Sequence, residues 1–250
     1  MLKRHFDEYK TMRVEQLFDP ASSTYSYLVW DPDSREAALI DPVQEQTGRD
    51  TGLIRELKLT LKYTLETHVH SDHITGSGYL REVLHSIVIV HENSRSKYAD
   101  VMVKDGDYIP LGRERINILH TPGHTDNHIC LAIPGAVFTG DSLHIGSCGR
   151  TDNASSDAGL MFDSITGKLF ALPDDTLVYP GHDYLGKTCS TIGEEKQHNP
   201  RIGMHISRDE FISKMSDARL EPPHHIQEAL TSNLQCGMPG YQAIRTPAIY

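Results

Sequence analysis

Four metal-capable side chains crowd into six residues at His68-Val69-His70-Ser71-Asp72-His73. Imidazole nitrogen and carboxylate oxygen are donors that zinc, iron and manganese accept. The segment restricts the local fold. A helix would send positions 68, 70, 72 and 73 in too many directions to share one pocket, whereas a loop leaving a strand can converge them. The preceding run Lys62-Tyr63-Thr64-Leu65-Glu66-Thr67 reads as that strand, ending at His68. Gly76 and Gly78 then suit a tight turn into a helix. A surface histidine cluster is the bland alternative, but a chance match to H-x-H-x-D-H is rare, so the segment reads as a metal-binding loop.

The flanking chain alternates strands and helices. Strand-like alternation covers residues 12–18 and 24–30, separated by a turn at Asp19-Pro20. A short buried strand at 37–40 is stopped by Asp41-Pro42. Residues 51–59 read as a helix with Leu53, Ile54 and Leu57 on one face. A helix at 79–85 leads into a buried strand at 87–90. Further strands are expected at 116–120, 129–133, 136–139 and 176–179. Residues 155–171 read as helical, interrupted near Gly167, and one more helix is expected at 208–215. The pattern is two successive blocks, with no short repeat and no low-complexity linker. It reads as one domain over residues 1–250, with a peripheral segment 1–11 and a C-terminal arm of about 219–250. That arm, rich in Pro, Gly and turn residues, is expected either to pack irregularly or to be mobile.

A chain of 250 residues buries a sizeable core without staples. The formal charge of −10 disfavours nucleic-acid binding, which needs a basic footprint. No run of about 18 apolar residues is present, so no spanning helix is expected. The first residues, Met1-Leu2-Lys3-Arg4-His5-Phe6-Asp7-Glu8, carry no apolar stretch and turn acidic, unlike a secretory or transit peptide. A cytoplasmic protein is the default; a processed form in the mitochondrial matrix would read the same. Cys130, Cys148, Cys189 and Cys236 contain no C-x-x-C and fit reduced thiols.

Four loops carry the chemistry: 68–73, then His124 after Thr-Pro-Gly, Asp141 after Phe138-Thr139-Gly140, and His182 after Tyr179-Pro180-Gly181. Each follows a strand-like run, so their side chains can meet in one cleft at one sheet edge. The glycines let the backbone turn sharply.

All four loops in this order resemble the metallo-β-lactamase superfamily, from Met12 to about Arg201. The resemblance implies an α/β fold of four layers, an αββα sandwich. In binuclear hydrolases of the superfamily, a first metal would take His68, His70 and His124. A second would take Asp72, His73 and His182, with Asp141 bridging. The finer resemblance is to the ETHE1-like persulfide dioxygenases. It is carried by residues 67–76, by Phe138-Thr139-Gly140-Asp141-Ser142-Leu143 and by Cys148-Gly149-Arg150-Thr151-Asp152. Tyr179-Pro180-Gly181-His182-Asp183-Tyr184 and Asn199-Pro200-Arg201 complete it. That family implies one Fe(II) on His68, His124 and Asp141, with His70, Asp72, His73 and His182 as pocket groups. The implied reaction takes glutathione persulfide, O2 and water to glutathione and sulfite. A homodimer is also implied. A rhodanese-type sulfurtransferase partner would be a separate chain.

Ligand identity alone leaves two zinc ions as an alternative, with the chain a glyoxalase II-like hydrolase of S-lactoylglutathione. Those hydrolases usually carry a longer helical C-terminal domain, and usually Glu where Asp183 stands. A metal-binding protein without turnover is a third reading. Around the cleft, Arg150 is expected either to fork onto a glutathione carboxylate or to hold its loop through Asp152. The family resemblance places Tyr184 and Arg201 at glutathione-contacting positions. Cys148 reads as a small buried thiol rather than a reactive one. Trp30 and the Tyr25-Ser26-Tyr27 alternation read as core. His128 and His144 lie near ligand loops but are not expected as ligands.

Overall fold

A computed structural model of the chain describes residues 7–9, 11–182, 186–217 and 226–238. Seven strands in sequence order make the first sheet: β1 (Asp7–Tyr9), β2 (Met12–Asp19), β3 (Thr24–Trp30), β4 (Glu36–Ile40), β5 (Thr60–Leu65), β6 (Ile87–His91) and β7 (Val101–Val103). Four of them, β4 to β7, pair in parallel, with α1 (Thr47–Glu56) and α2 (Ser77–Leu84) as the crossovers from β4 to β5 and from β5 to β6. The second sheet uses β8 (Tyr108–Leu111), β9 (Glu114–His120), β10 (Ile129–Ile133) and β11 (Ala136–Gly140). A hairpin of β12 (Leu143–His144) and β13 (Ser147–Cys148) and the helix α3 (Ala158–Ser164) follow. Then β14 (Leu177–Pro180) pairs in parallel with β11, and β15 (Ser190–Thr191) closes that edge. The remaining helices are α4 (Ile192–His198), α5 (Arg208–Asp217) and α6 (Ile226–Asn233).

Period-two alternation sorts side chains between layers. In β3, Tyr25, Tyr27 and Val29 face the other sheet, while Leu28 and Trp30 face α1 and α2. In β10, Ile129, Leu131 and Ile133 join the central core, and Cys130 and Ala132 meet the helices beyond. The result is the expected αββα sandwich. Its central core includes Tyr27, Phe138 and Tyr179, whose ring centroids lie 4.9–5.4 Å apart. Trp30 and the alternating tyrosines are core, as expected.

Several boundaries differ from the sequence expectation. Strand β5 stops at Leu65 rather than His68, because its parallel neighbours reach their last register pairs there, with Ile40 and Ile89. The next two amides are taken instead by Ile89 O and the Asp41 carboxylate. Helix α1 starts four residues earlier than expected, and its polar Thr47, Asp50 and Thr51 are buried. It ends in a Schellman-type turn at Lys58, φ 54°, where Leu59 N reaches Ile54 O. The interruption near Gly167 is a π turn over Ile165–Leu169. The short strands β7 and β8 and the helix α4 carried no sequence signal strong enough to be read. In the C-terminal arm, expected to be irregular or mobile, residues 226–233 form α6, and part of the peripheral N-terminal segment adds the edge strand β1.

Candidate metal centre

The loops after β5, β11 and β14 leave the carboxyl ends of strands at one edge of the sandwich, and the loop before β10 meets them there. They carry His68, Asp141, His182 and His124 respectively. Two glycines make the approach close. Gly140 has φ 46°, and a Cβ there would sit 2.7 Å from His128 Nε2 and 2.8 Å from Thr67 Oγ1. Gly181 has ordinary backbone, but a Cβ would sit 2.8 Å from Asp141 Oδ1. It serves close packing rather than a left-handed turn.

One ligand atom each from His68, His124 and Asp141 falls within 4.8 Å of the others, and all three residues are buried. His68 Nδ1 lies 3.0 Å from Thr67 Oγ1, whose proton goes to Asp41 Oδ2 at 2.8 Å. His124 Nδ1 lies 2.9 Å from Arg150 O, a pure acceptor. Both imidazoles therefore carry their proton on Nδ1 and turn the Nε2 lone pair to the cleft. His124 Nε2 is 3.5 Å from Asp141 Oδ2. Burial holds the pKa of both histidines below the ordinary value, so they are neutral and ready to ligate.

The other four expected ligands line the same cleft with different partners. His70 Nε2 lies 3.0 Å from Asp41 Oδ1 and 3.5 Å from Glu66 Oε2, while its buried Nδ1 lies 3.9 Å from Asp72 Oδ1 and has no hydrogen-bond partner among the described residues. His73 Nδ1 lies 2.9 Å from Asp72 Oδ2, and its buried Nε2 has no hydrogen-bond partner among the described residues. His182 is engaged at both nitrogens, Nδ1 to Asp141 Oδ1 at 2.7 Å and Nε2 to Asp72 Oδ2 at 3.1 Å. Burial opposes charge on His70 and His182, but their carboxylate neighbours outweigh it and raise both well above the ordinary value. The same balance holds Asp141 and Asp72 well below theirs: burial pushes them up, and the histidines outweigh it. The neutral imidazoles of His68 and His124 beside the ionised Asp141 carboxylate are a donor set that fits a divalent transition metal.

Asp41, Asn233 and Glu66 were not singled out from the sequence as supporting residues, and His128 and His144 were set aside there as ligands. Asp41 anchors Thr67 through its amide and hydroxyl and also holds His70. Its only signal was an acidic residue closing a buried strand. His128, with no exposed surface, accepts the Asp141 amide at 2.9 Å and stacks on His68 at 5.1 Å. His144 Nε2 lies 3.1 Å from Asp141 Oδ1. Asn233, in α6, accepts from Thr75 N and donates to His70 O and His73 O, so the C-terminal helix clamps the histidine loop. Glu66 accepts from the hydroxyls of Thr75 and Ser77.

Of the expected substrate residues, Arg150 forks onto Asp152, with contacts of 2.6 and 2.8 Å. Arg201 is exposed, and its Nη1 lies 3.8 Å from Met215 Sδ, a sulfur that also lies 3.9 Å from Cys148. Tyr184 and Asp183 lie outside the described residues. Cys148 is buried and its thiol is pushed up to about 12 by that burial, the inert thiol expected. Thr139 donates its hydroxyl to Leu143 O, a structural role.

The profile of the metallo-beta-lactamase superfamily matches residues 19–182. A human protein, the mitochondrial persulfide dioxygenase ETHE1, is 43% identical over 227 residues, which are 90% of this chain and 89% of that protein. The crystal structure of ETHE1 from Myxococcus xanthus superposes with a TM-score of 0.88 at 48% identity, covering 90% of this chain and 99% of that one. A hydroxyacylglutathione hydrolase from a Polaromonas species is more distant, 35% identical over 181 residues, 70% of this chain and 68% of that protein. The chain therefore belongs to the metallo-β-lactamase superfamily and, within it, to the ETHE1 persulfide dioxygenases.

Proposed function

We propose that the chain oxidises glutathione persulfide with O2 and water to glutathione and sulfite, using one Fe(II) held by His68, His124 and Asp141. The observation that carries this reading is the unequal use of the histidines. His68 and His124 each engage Nδ1 with an uncharged oxygen and bring a ligand atom within 4.8 Å of Asp141, His124 through Nε2 at 3.5 Å from Oδ2, whereas His182 is engaged at both nitrogens. Two imidazoles and a carboxylate would hold the ion, which would supply the redox chemistry there.

The chain's own residues orient and insulate that centre. Thr67 and Arg150 O hold the two imidazoles, and His144 and His182 hold Asp141 through Oδ1, leaving Oδ2 for the metal. Arg150, Tyr184 and Arg201 are the candidates for the glutathione end. Arg150 would exchange the Asp152 carboxylate for one of the substrate's, keeping the same two-pronged geometry. The same reading carries a homodimer and a separate rhodanese-type sulfurtransferase supplying persulfide. It places the protein in the cytoplasm, or in the mitochondrial matrix for a processed form. Among the described residues no helix is long and apolar enough to cross a membrane.

The test is anaerobic purification, iron and zinc counts per chain, and O2 uptake with glutathione persulfide on the same sample. About one iron with persulfide-dependent uptake and sulfite is the expected result. Two zinc ions, no uptake after Fe(II) reconstitution and rapid S-lactoylglutathione cleavage would replace it with the thioester hydrolase.

A further inference from the structure

We propose that the Thr24 hydroxyl keeps a second metal ion out of the cleft by holding Asp72 and His182 together as a hydrogen-bonded pair. The inference rests on the single-iron reading above. Thr24 is buried, and its Oγ1 lies 3.0 Å from Asp72 Oδ2 and 3.3 Å from His182 Nε2. Those two atoms are themselves 3.1 Å apart, so the three close a triangle. With the first ion on His68, His124 and Asp141, a second ion placed as in the binuclear hydrolases would draw on Asp72, His73 and His182; the group His70, Asp72 and His73 draws on the same carboxylate. Asp72 and His182 already face each other and the hydroxyl.

The backbone keeps the hydroxyl at that corner. Thr24 and His182 form an antiparallel bridge between the first sheet and the loop after β14, and Tyr25 N donates to Gly181 O at 2.8 Å. Asp72 Oδ2 thus has three hydrogen-bond partners: Thr24, His73 and His182. The oxygen Asp141 would lend as a bridge, Oδ1, is covered by His182 and His144. A buried carboxylate oxygen whose donors are supplied by the protein gains little from a cation, whereas one short of a donor gains much.

The nearly isosteric Thr24→Val removes only the hydroxyl, and Thr24→Ser restores it. Each protein, with the wild type, is loaded anaerobically with Fe(II) or, separately, with excess Zn(II). Ions per chain are counted by native mass spectrometry. One ion is expected for the wild type and T24S, and two for T24V in zinc. A T24V that stays at one ion overturns the proposal. Loss of the first ion in T24V but not in T24S overturns it too, because the hydroxyl would then support the first site. A wild type that takes two zinc ions sinks the single-ion reading itself, and that result is read without any variant.

Discussion

The two halves of the candidate ligand set share residue types and one cleft, yet they use their nitrogens differently. On the His68 and His124 side, each Nδ1 donates to an uncharged oxygen, Thr67 Oγ1 or Arg150 O. On the other side, His182 meets a carboxylate at each nitrogen and His70 meets Asp41 and Glu66 at one. An uncharged acceptor leaves a buried imidazole neutral, with a lone pair to give. Flanking carboxylates hold an imidazolium, which has none to give without losing a proton. The opposite pKa directions of the two pairs follow from this. A histidine becomes a ligand through the partner of its other nitrogen as much as through its place in a motif.

The largest effect should separate the halves outright. His124→Ala should abolish iron retention and persulfide-dependent O2 uptake, while His73→Ala should keep the iron and lose activity only in part, roughly 10–100-fold. Iron counts and oxygen-electrode rates on both variants decide this, and equal loss of iron would erase the distinction. Asp41→Ala comes next, because Asp41 supports both halves, Thr67 beneath His68 and His70 beside it. Leaving those donors buried and unpaired should destabilise the fold by about 3–5 kcal/mol and weaken iron binding roughly 10–100-fold. Urea unfolding and chelator competition measure the two.

Asn233→Ala should act more mildly, and on the second half first. It frees Thr75 N, His70 O and His73 O, at about 1–3 kcal/mol. In a domain of this size that is a fall in Tm of a few degrees, about 2–4 °C per kcal/mol, readable by calorimetry. An unchanged Tm would mean that α6 does not clamp the loop.

The smallest effect is the pH profile of the metal-free protein, where the halves oppose each other. His68 and His124, with lowered folded pKa, cost stability as pH falls below the unfolded value of about 6.5. His70 and His182, with raised folded pKa, contribute stability fully present below about 6.5 and lost as pH rises through their folded values. Asp72 and Asp141 stay ionised across this range, because their folded pKa is depressed. Tm should therefore peak near about pH 6.5. A Tm rising steadily from acid to alkaline pH would show that the second half is not held charged.

Much of this was legible in the chain. The H-x-H-x-D-H loop, the Pro-Gly-His turns and the alternation in residues 24–30 and 129–133 each appear where expected. Local pattern controls such elements, since a strand sorts its side chains by position alone. What escaped reading was polar and short. Helix α1 begins on buried Thr47 and Asp50, which no apolar periodicity marks. The clamp of α6 hangs on one asparagine in a segment of turn-like composition.

The sequence by itself determined the candidate donor types and their order, because the candidate ligands sit in short motifs at strand ends. Thr67 and Asp72 engage the neighbouring His68 and His73 from the next position in the chain. Only the tertiary structure decided how His124, His70 and His182 are held, because their partners come from far along the chain: Arg150 for His124 from 26 residues away, Asp41 for His70 from 29, and Thr24 for His182 from 158. Hydrogen bonds act over about 3 Å of space, and only the packing of the two sheets brings such distant residues that close.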